Sequence, residues 1–284
     1  MTDTRKKHPP AIREIPPEEA ARYPAAQVRD FSISTADGTV TARILMPEHG
    51  GSEPPLLALH GISRKADAVF DAFASAALES GRGLIVPRFS RKHWPNFQRI
   101  GRHRPDKALF ALLLMLKNSG IIPAPVCDIF GYSGGAQLAH RFAMLYPQHV
   151  GRLHLGAAGW YCWPDEGVAF PAGIGSGACQ PLCGQVDMAH IMRIQLPHFL
   201  QIPISVYVGA EDVERDEAMR QTPLLDELQG KNRHERARNY VGRLLAAAAA
   251  HSIDARAEFV ELPGCGHSFM HCAAQNNLAK RIFA

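Results

Sequence analysis

Gly131-Tyr132-Ser133-Gly134-Gly135 decides the reading of this chain. The five residues fit G-x-S-x-G, and their neighbours give the pattern its meaning. Residues 126–130 (Val-Cys-Asp-Ile-Phe) form a short apolar run of strand character, and Leu138, Phe142 and Leu145 recur at helical spacing until Pro147. Strand, sharp turn and helix follow one another. In such a turn the serine is forced into a strained conformation that lifts its Oγ clear of the sheet, and small flanking residues are required where strand and helix pass closely. Gly131, Gly134 and Gly135 supply that room. The plainer alternative is a glycine-rich connection carrying a solvated serine.

A serine hydroxyl is a poor nucleophile at neutral pH, so Ser133 needs a base within hydrogen-bond reach and a carboxylate to orient that base. Residues 258–262 read as a strand, followed by Pro263-Gly264-Cys265-Gly266-His267, which places His267 at the same sheet edge as Ser133. It is the best placed of the 14 histidines. His271, four residues on, would make a second metal ligand on one helical face, but no third ligand of suitable spacing is visible. For the acid, the strand 204–208 ends in Gly209-Ala210-Glu211-Asp212, giving Asp212 as the expected partner and Glu211 as the runner-up. The two acids also suit the start of a helix, where negative charge is favourable in any case. The order Ser, Asp, His matches one of the three known chain orders of such a triad. Acyl transfer also demands donors for an oxyanion. The N–H groups of Gly134 and of Ile62, after the apolar strand 56–59 and His60-Gly61, are the expected pair, with His60 bracing the loop.

The remainder of the chain is consistent with this site. Residues 28–34 and 39–46 alternate in polarity around Ala36-Asp37-Gly38 and predict an antiparallel hairpin. Strands at 56–59, 83–86, 126–130, 153–157, 204–208 and 258–262 alternate with helices at 66–80, 106–118, 134–146, 233–251 and 268–283. That alternation predicts a mostly parallel α/β sheet of about eight strands with helices on both faces, and chemistry at the carboxyl ends of its strands. Residues 1–27, rich in proline and charge, are expected to wrap the surface or to be partly disordered; residues 28–284 are expected to form one domain. Residues 160–201, with their Gly, Pro and aromatic content, read as a lid-like insertion. Trp160, Tyr161 and Trp94 are candidate substrate-binding residues, equally readable as core under a long loop. The stretch 89–104 is basic and aromatic with no acid, and its cations would suit a substrate carboxylate or phosphate.

Composition bounds the function. With 284 residues, 46% hydrophobic content and a net charge of +4, the chain suits one large core. Its mild charge argues against a nucleic-acid module. No apolar run approaches the length of a membrane span, and no signal-like segment is visible at the start, so a cytoplasmic location is expected. The 6 cysteines are then expected as free thiols, with Cys179 and Cys183 weighed as a small metal loop or disulfide.

Together, His60-Gly61, the Ser133 pentapeptide, Gly209-Ala210-Glu211-Asp212 and Pro263-Gly264-Cys265-Gly266-His267 resemble the α/β-hydrolase superfamily, over the chain from about Val28 to its end. Gly159-Trp160-Tyr161 and the absence of a helical cap domain resemble bacterial esterases related to polyhydroxyalkanoate depolymerases and dienelactone hydrolases, although the latter usually carry a cysteine where this chain has Ser133. The resemblance implies ester hydrolysis through an acyl-enzyme, without a cofactor, on a small or oligomeric ester. An acyl-thioesterase or acyltransferase using the same residues, and a non-catalytic binding protein on the same fold, are the competing readings.

Overall fold

A computed structural model of the chain describes residues 11–49, 51–176 and 187–284. Nine strands build its sheet: β1 (Ala11–Glu14), β2 (Ala26–Ser34), β3 (Thr39–Pro47), β4 (Leu56–Leu59), β5 (Leu84–Arg88), β6 (Cys127–Tyr132), β7 (Val150–Gly156), β8 (Ile204–Gly209) and β9 (Ala257–Leu262). Their order across the sheet is β1-β2-β3-β5-β4-β6-β7-β8-β9. The first three strands and the β3–β5 pairing are antiparallel, and every pairing from β5 to β9 is parallel.

The expected α/β architecture is therefore present, with one strand more than about eight. That extra strand comes from the N-terminal arm: β1 pairs along β2 with all four residues exposed. An edge strand exposed on both faces has no polarity period, so composition alone reads it as arm. In the middle of the sheet the pattern is the opposite. All four residues of β4 and all six of β6 are buried, as continuous apolar runs require when helices cover both faces.

The helices are α1 (Pro17–Ala20), α2 (Ala66–Glu79), α3 (Pro105–Asn118), α4 (Gly134–Leu145), α5 (Met188–Phe199), α6 (Pro223–Gln229), α7 (Arg233–Ala250), α8 (Phe269–Gln275) and α9 (Leu278–Phe283). Every residue of α4 is buried. Two helices stand where one was expected at 268–283, because Asn277 takes a left-handed conformation (φ 49°) that ends α8 and redirects the chain. Asparagine tolerates that region better than most residues.

The described parts of 160–201 mix buried and exposed residues. Trp160, Tyr161, Cys162 and Trp163 are buried, and α5 buries Ala189, Met192, Leu196 and Phe199. Residues 177–186, with Cys179 and Cys183, lie outside the described residues; Cys127, Cys162, Cys265 and Cys272 are free and buried. Among the described residues no helix is long and apolar enough to cross a membrane.

Candidate active site

Four parallel strands deliver the site to one edge. Ser133 follows β6 with φ 54° and ψ −113°, a region costing on the order of 1–3 kcal/mol for a residue with a side chain. The strain is held by close packing on both sides. A Cβ on Gly135 would stand 2.3 Å from the Leu59 carbonyl oxygen at the end of β4, and one on Gly131 would stand 2.5 Å from the Gly135 backbone. Those contacts explain the glycines: β4, β6 and α4 meet with no space for a methyl group. The Ser133 N–H donates to Gly156 O at 2.7 Å, tying the turn to β7.

Asp212 and His267 are brought together by the ladder that continues past β8 and β9. The Ala210 N–H donates to Leu262 O at 3.0 Å and the Glu211 N–H to Cys265 O at 2.8 Å. Across this junction a Cβ on Gly209 would come within 2.1 Å of Cys265 O. The result is a hydrogen-bonded chain: Ser133 Oγ lies 3.1 Å from His267 Nε2, and His267 Nδ1 lies 2.8 Å from Asp212 Oδ2. Of the two candidate acids, Asp212 has a side chain 1% exposed that faces the imidazole, and Glu211 is exposed. With Nδ1–H held by the carboxylate, Nε2 is free to accept the serine proton.

The loop after β4 sets the other wall. His60 donates through Nδ1 to Gly61 O (2.8 Å) and accepts at Nε2 from the Phe89 N–H (3.1 Å). Burial keeps its pKa down at about 4, so it is a neutral brace. Ile62 N would be 3.3 Å from a Cβ on Gly134, which puts the two expected donor amides side by side next to Ser133. Among the described residues neither N–H is taken up by a protein acceptor. Arg64, at φ 60°, reaches from the same loop to the carbonyls of Phe89, Trp94 (2.9 Å) and Pro95 (2.9 Å), pinning the basic, aromatic stretch 89–104 against it.

Beside these residues lies a cleft of about 260 Å³, lined by Gly61, Ile62, Lys65, Val69, Ser133, Ala218, His267 and Phe269 among others. None of the three aromatic residues expected to bind substrate is on its wall. Trp94 is 1% exposed, donates its indole N–H to Thr39 O (2.8 Å) and meets Phe89 edge to face; Trp160 and Tyr161 are 4% and 0% exposed. Aromatic residues after a strand fit a core and a pocket equally well by composition, and here burial takes them.

One residue at the site escapes the sequence. Arg233, at the start of α7 and 1% exposed, lies 3.4 Å from Asp212 Oδ1 and 2.6 Å from Asp216 Oδ1. Burial works against the Asp216 carboxylate, but this guanidinium holds its pKa below the ordinary range. In sequence Arg233 reads as a solvated residue at a helix start capped by Asn232, which does accept from the Glu235 N–H at 2.9 Å. The available signal, an arginine beginning the helix after an acid-bearing loop, is too common to single it out.

A mostly parallel sheet in this strand order, with an antiparallel beginning and the serine turn after β6, is the α/β-hydrolase fold. No protein-family model matches the chain, and no curated protein matches it. Solved structures do. Poly(aspartic acid) hydrolase-1 from Sphingomonas sp. KT-1 is 20% identical with a TM-score of 0.72, over 90% of this chain and 97% of that one. A poly(3-hydroxybutyrate) depolymerase from Bordetella parapertussis is 21% identical with a TM-score of 0.71, over 90% and 89%. A dienelactone hydrolase from Anabaena variabilis is 13% identical with a TM-score of 0.52, over 91% and 96%. The expected esterase-like fold is thereby established.

Proposed function

We propose that the chain is a serine hydrolase that cleaves carboxylic esters through an acyl-enzyme, with Ser133 as nucleophile, His267 as general base and acid, and Asp212 as the orienting carboxylate. The observation that carries this reading is the unbroken Ser133–His267–Asp212 hydrogen-bonded chain at the carboxyl edge of the sheet.

In the first half-reaction Ser133 Oγ attacks the ester carbonyl as its proton passes to His267 Nε2. The negative charge formed on the carbonyl oxygen is received by the N–H groups of Ile62 and Gly134. The tetrahedral centre collapses, the C–O bond to the alcohol breaks, and His267 returns its proton to the departing alkoxide. Water then repeats the sequence against the acyl-serine and releases the carboxylic acid. Asp212 keeps Nδ1–H in place and stabilises the imidazolium without being protonated.

Two of the similar solved structures are named for polymeric substrates, and a linear oligoester of hydroxy acids is accordingly the first substrate to try beside short p-nitrophenyl esters. Labelling with a fluorophosphonate and steady-state hydrolysis by wild type and Ser133→Ala form the test. Ser133→Ala should lose the label and at least ~10⁴ in turnover with an unchanged unfolding transition. A variant that still turns over near the wild-type rate overturns the assignment.

A further inference from the structure

Lys65 has no part in the chemistry proposed above, yet it stands on the wall of the same cleft as Ser133 and His267. The other walls of that space, about 260 Å³ in volume, are apolar or carry hydroxyls, with Val69, Phe269 and Met270 among them; no described residue brings a carboxylate to it. Lys65 forms no ion pair among the described residues, and Asp67, the nearest acid in sequence, is turned to Arg88. The lysine is exposed, so nothing has to move for a ligand in the cleft to reach it. It is also held close to the reacting centre. The Arg64 N–H donates to Gly61 O at 3.0 Å and folds the loop after β4 into a turn, which keeps Lys65 near Ile62, the expected oxyanion donor.

Helix formation does not explain the residue. Lys65 is the N-cap of α2, at φ −80° and ψ 63°, and its side chain makes no capping bond. Serine, threonine, aspartate or asparagine would accept from one of the free N–H groups there, whereas a cation at a helix N-terminus is repelled by the macrodipole. Stability alone selects against lysine at this position. An ammonium on the outer face of α2 would carry the same charge without that cost.

We infer that Lys65 sets specificity by pairing with a carboxylate on the alcohol half of the ester, so that the favoured substrates are acyl esters of short hydroxy acids whose acid end is free. The choice of the alcohol half follows from the walls. In the proposed mechanism His267 returns its proton to the departing alkoxide, and the cleft is bounded by His267 together with Ser268, Phe269 and Met270. The group that leaves with that oxygen is therefore the one that enters the cleft. Its carbon chain lies along the apolar walls and its carboxylate meets the ammonium in a charge-assisted contact. A linear oligoester of hydroxy acids carries one such free carboxylate, on the alcohol side of its last ester bond. Cleavage then removes single hydroxy acids from that end.

The inference rests on the ester-hydrolase reading, and one set of compounds separates the two. Butyrate esters of glycolic, 3-hydroxypropionic and 4-hydroxybutyric acid are compared with the corresponding carboxamides, which match them in shape and lack the charge. At low salt at least one acid should exceed its amide by about fivefold or more in kcat/KM, the upper end for an exposed ion pair. In Lys65→Gln that ratio should fall to less than half, whereas Lys117→Gln, the same change of net charge at the exposed end of α3, should leave it in place. The inference is overturned if no acid reaches that ratio, if Lys65→Gln keeps it above half, or if Lys117→Gln lowers it equally. If none of the esters is turned over, the ester-hydrolase reading fails and the same acids serve as stable ligands, followed by calorimetry. An acid that binds about fivefold tighter than its amide, with the ratio more than halved in Lys65→Gln, then keeps Lys65 as the anion-binding residue of the cleft; a smaller preference, or one that Lys65→Gln leaves above half, overturns that as well.

Discussion

The sheet carries a buried arginine–aspartate pair at each end, and the two are partnered differently. At the amino end Arg82 and Asp128 meet at 2.6 Å with side chains 5% and 3% exposed, and Arg82 also donates to Pro54 O. At the carboxyl end Arg233 and Asp212 meet at 3.4 Å, each 1% exposed. Asp128 is enclosed, and burial raises its pKa above the usual carboxylate value although Arg82 opposes that shift. Asp212 keeps its second oxygen for an imidazole. A buried ion pair therefore says nothing about chemistry by itself; the pair assigned to the proposed site differs in the identity of the second partner, an imidazole beside a serine at Asp212.

That contrast can be broken by mutation. The largest effect is expected from Asp212→Asn, which should lower kcat by roughly 10⁴ through loss of the tautomer that His267 needs, while the urea midpoint moves little because Arg233 keeps Asp216 as its counter-charge. Asp128→Asn and Arg82→Met should do the reverse. Each leaves one buried charge without its partner and should cost about 3–5 kcal/mol of stability, with kcat at permissive temperature within a few-fold of wild type. If Asp128→Asn matched Asp212→Asn in lost turnover, the division between the two ends would be wrong.

Arg233→Met should fall between them. It frees Asp212 Oδ1 and Asp216 but leaves the His267 hydrogen bond, so kcat should drop about 10- to 100-fold while KM changes less, and Arg233→Lys should recover part of it. The scale follows from the ~1–3 kcal/mol typical of a lost hydrogen bond to a charged group. An unchanged kcat would make Arg233 a structural residue like Arg82.

The last effect is one of pH. Burial holds the pKa of His60 at about 4 and of His154 at about 3, and that of His140 well below its ordinary value. Below about pH 6.5 the unfolded chain takes up protons on these rings that the folded protein refuses, so stability is fully present above that pH and lost as pH falls toward the folded values. Each ring should contribute about 1.4 kcal/mol per pH unit. Urea midpoints at pH 7, 6 and 5 should fall in step, and His154→Gln should make the slope shallower. A flat profile down to pH 5 would mean that the rings open to water before they charge.

The strand ends were legible because chemistry and punctuation coincide there: Ser133, Asp212 and His267 each follow an apolar run and a glycine. The central sheet was legible for a related reason, since strands buried on both faces leave continuous runs. Burial of single polar or amphipathic side chains leaves no such trace. Arg233 looks in sequence like any helical arginine, Trp94 and Trp160 like pocket aromatics, and only the packing separates them. The edge strand β1 and the break at Asn277 were missed because each depends on one local contact or one dihedral angle rather than on a period.

Arg64 has a further consequence. Its guanidinium binds three carbonyls of the 89–104 stretch from within the same short loop that presents the Ile62 N–H, so the wall carrying Gln98 and Arg99 and the amide beside Ser133 are mechanically one piece. Under the proposed mechanism, a load applied at the far wall is felt at the carbonyl that Ser133 attacks. Substrate features distant from the scissile bond should for that reason register in the rate of acylation more than in affinity. Lengthening the 89–104 stretch would disturb both at once, whereas exchanging side chains along it would alter selectivity and leave the charge-receiving amides in register.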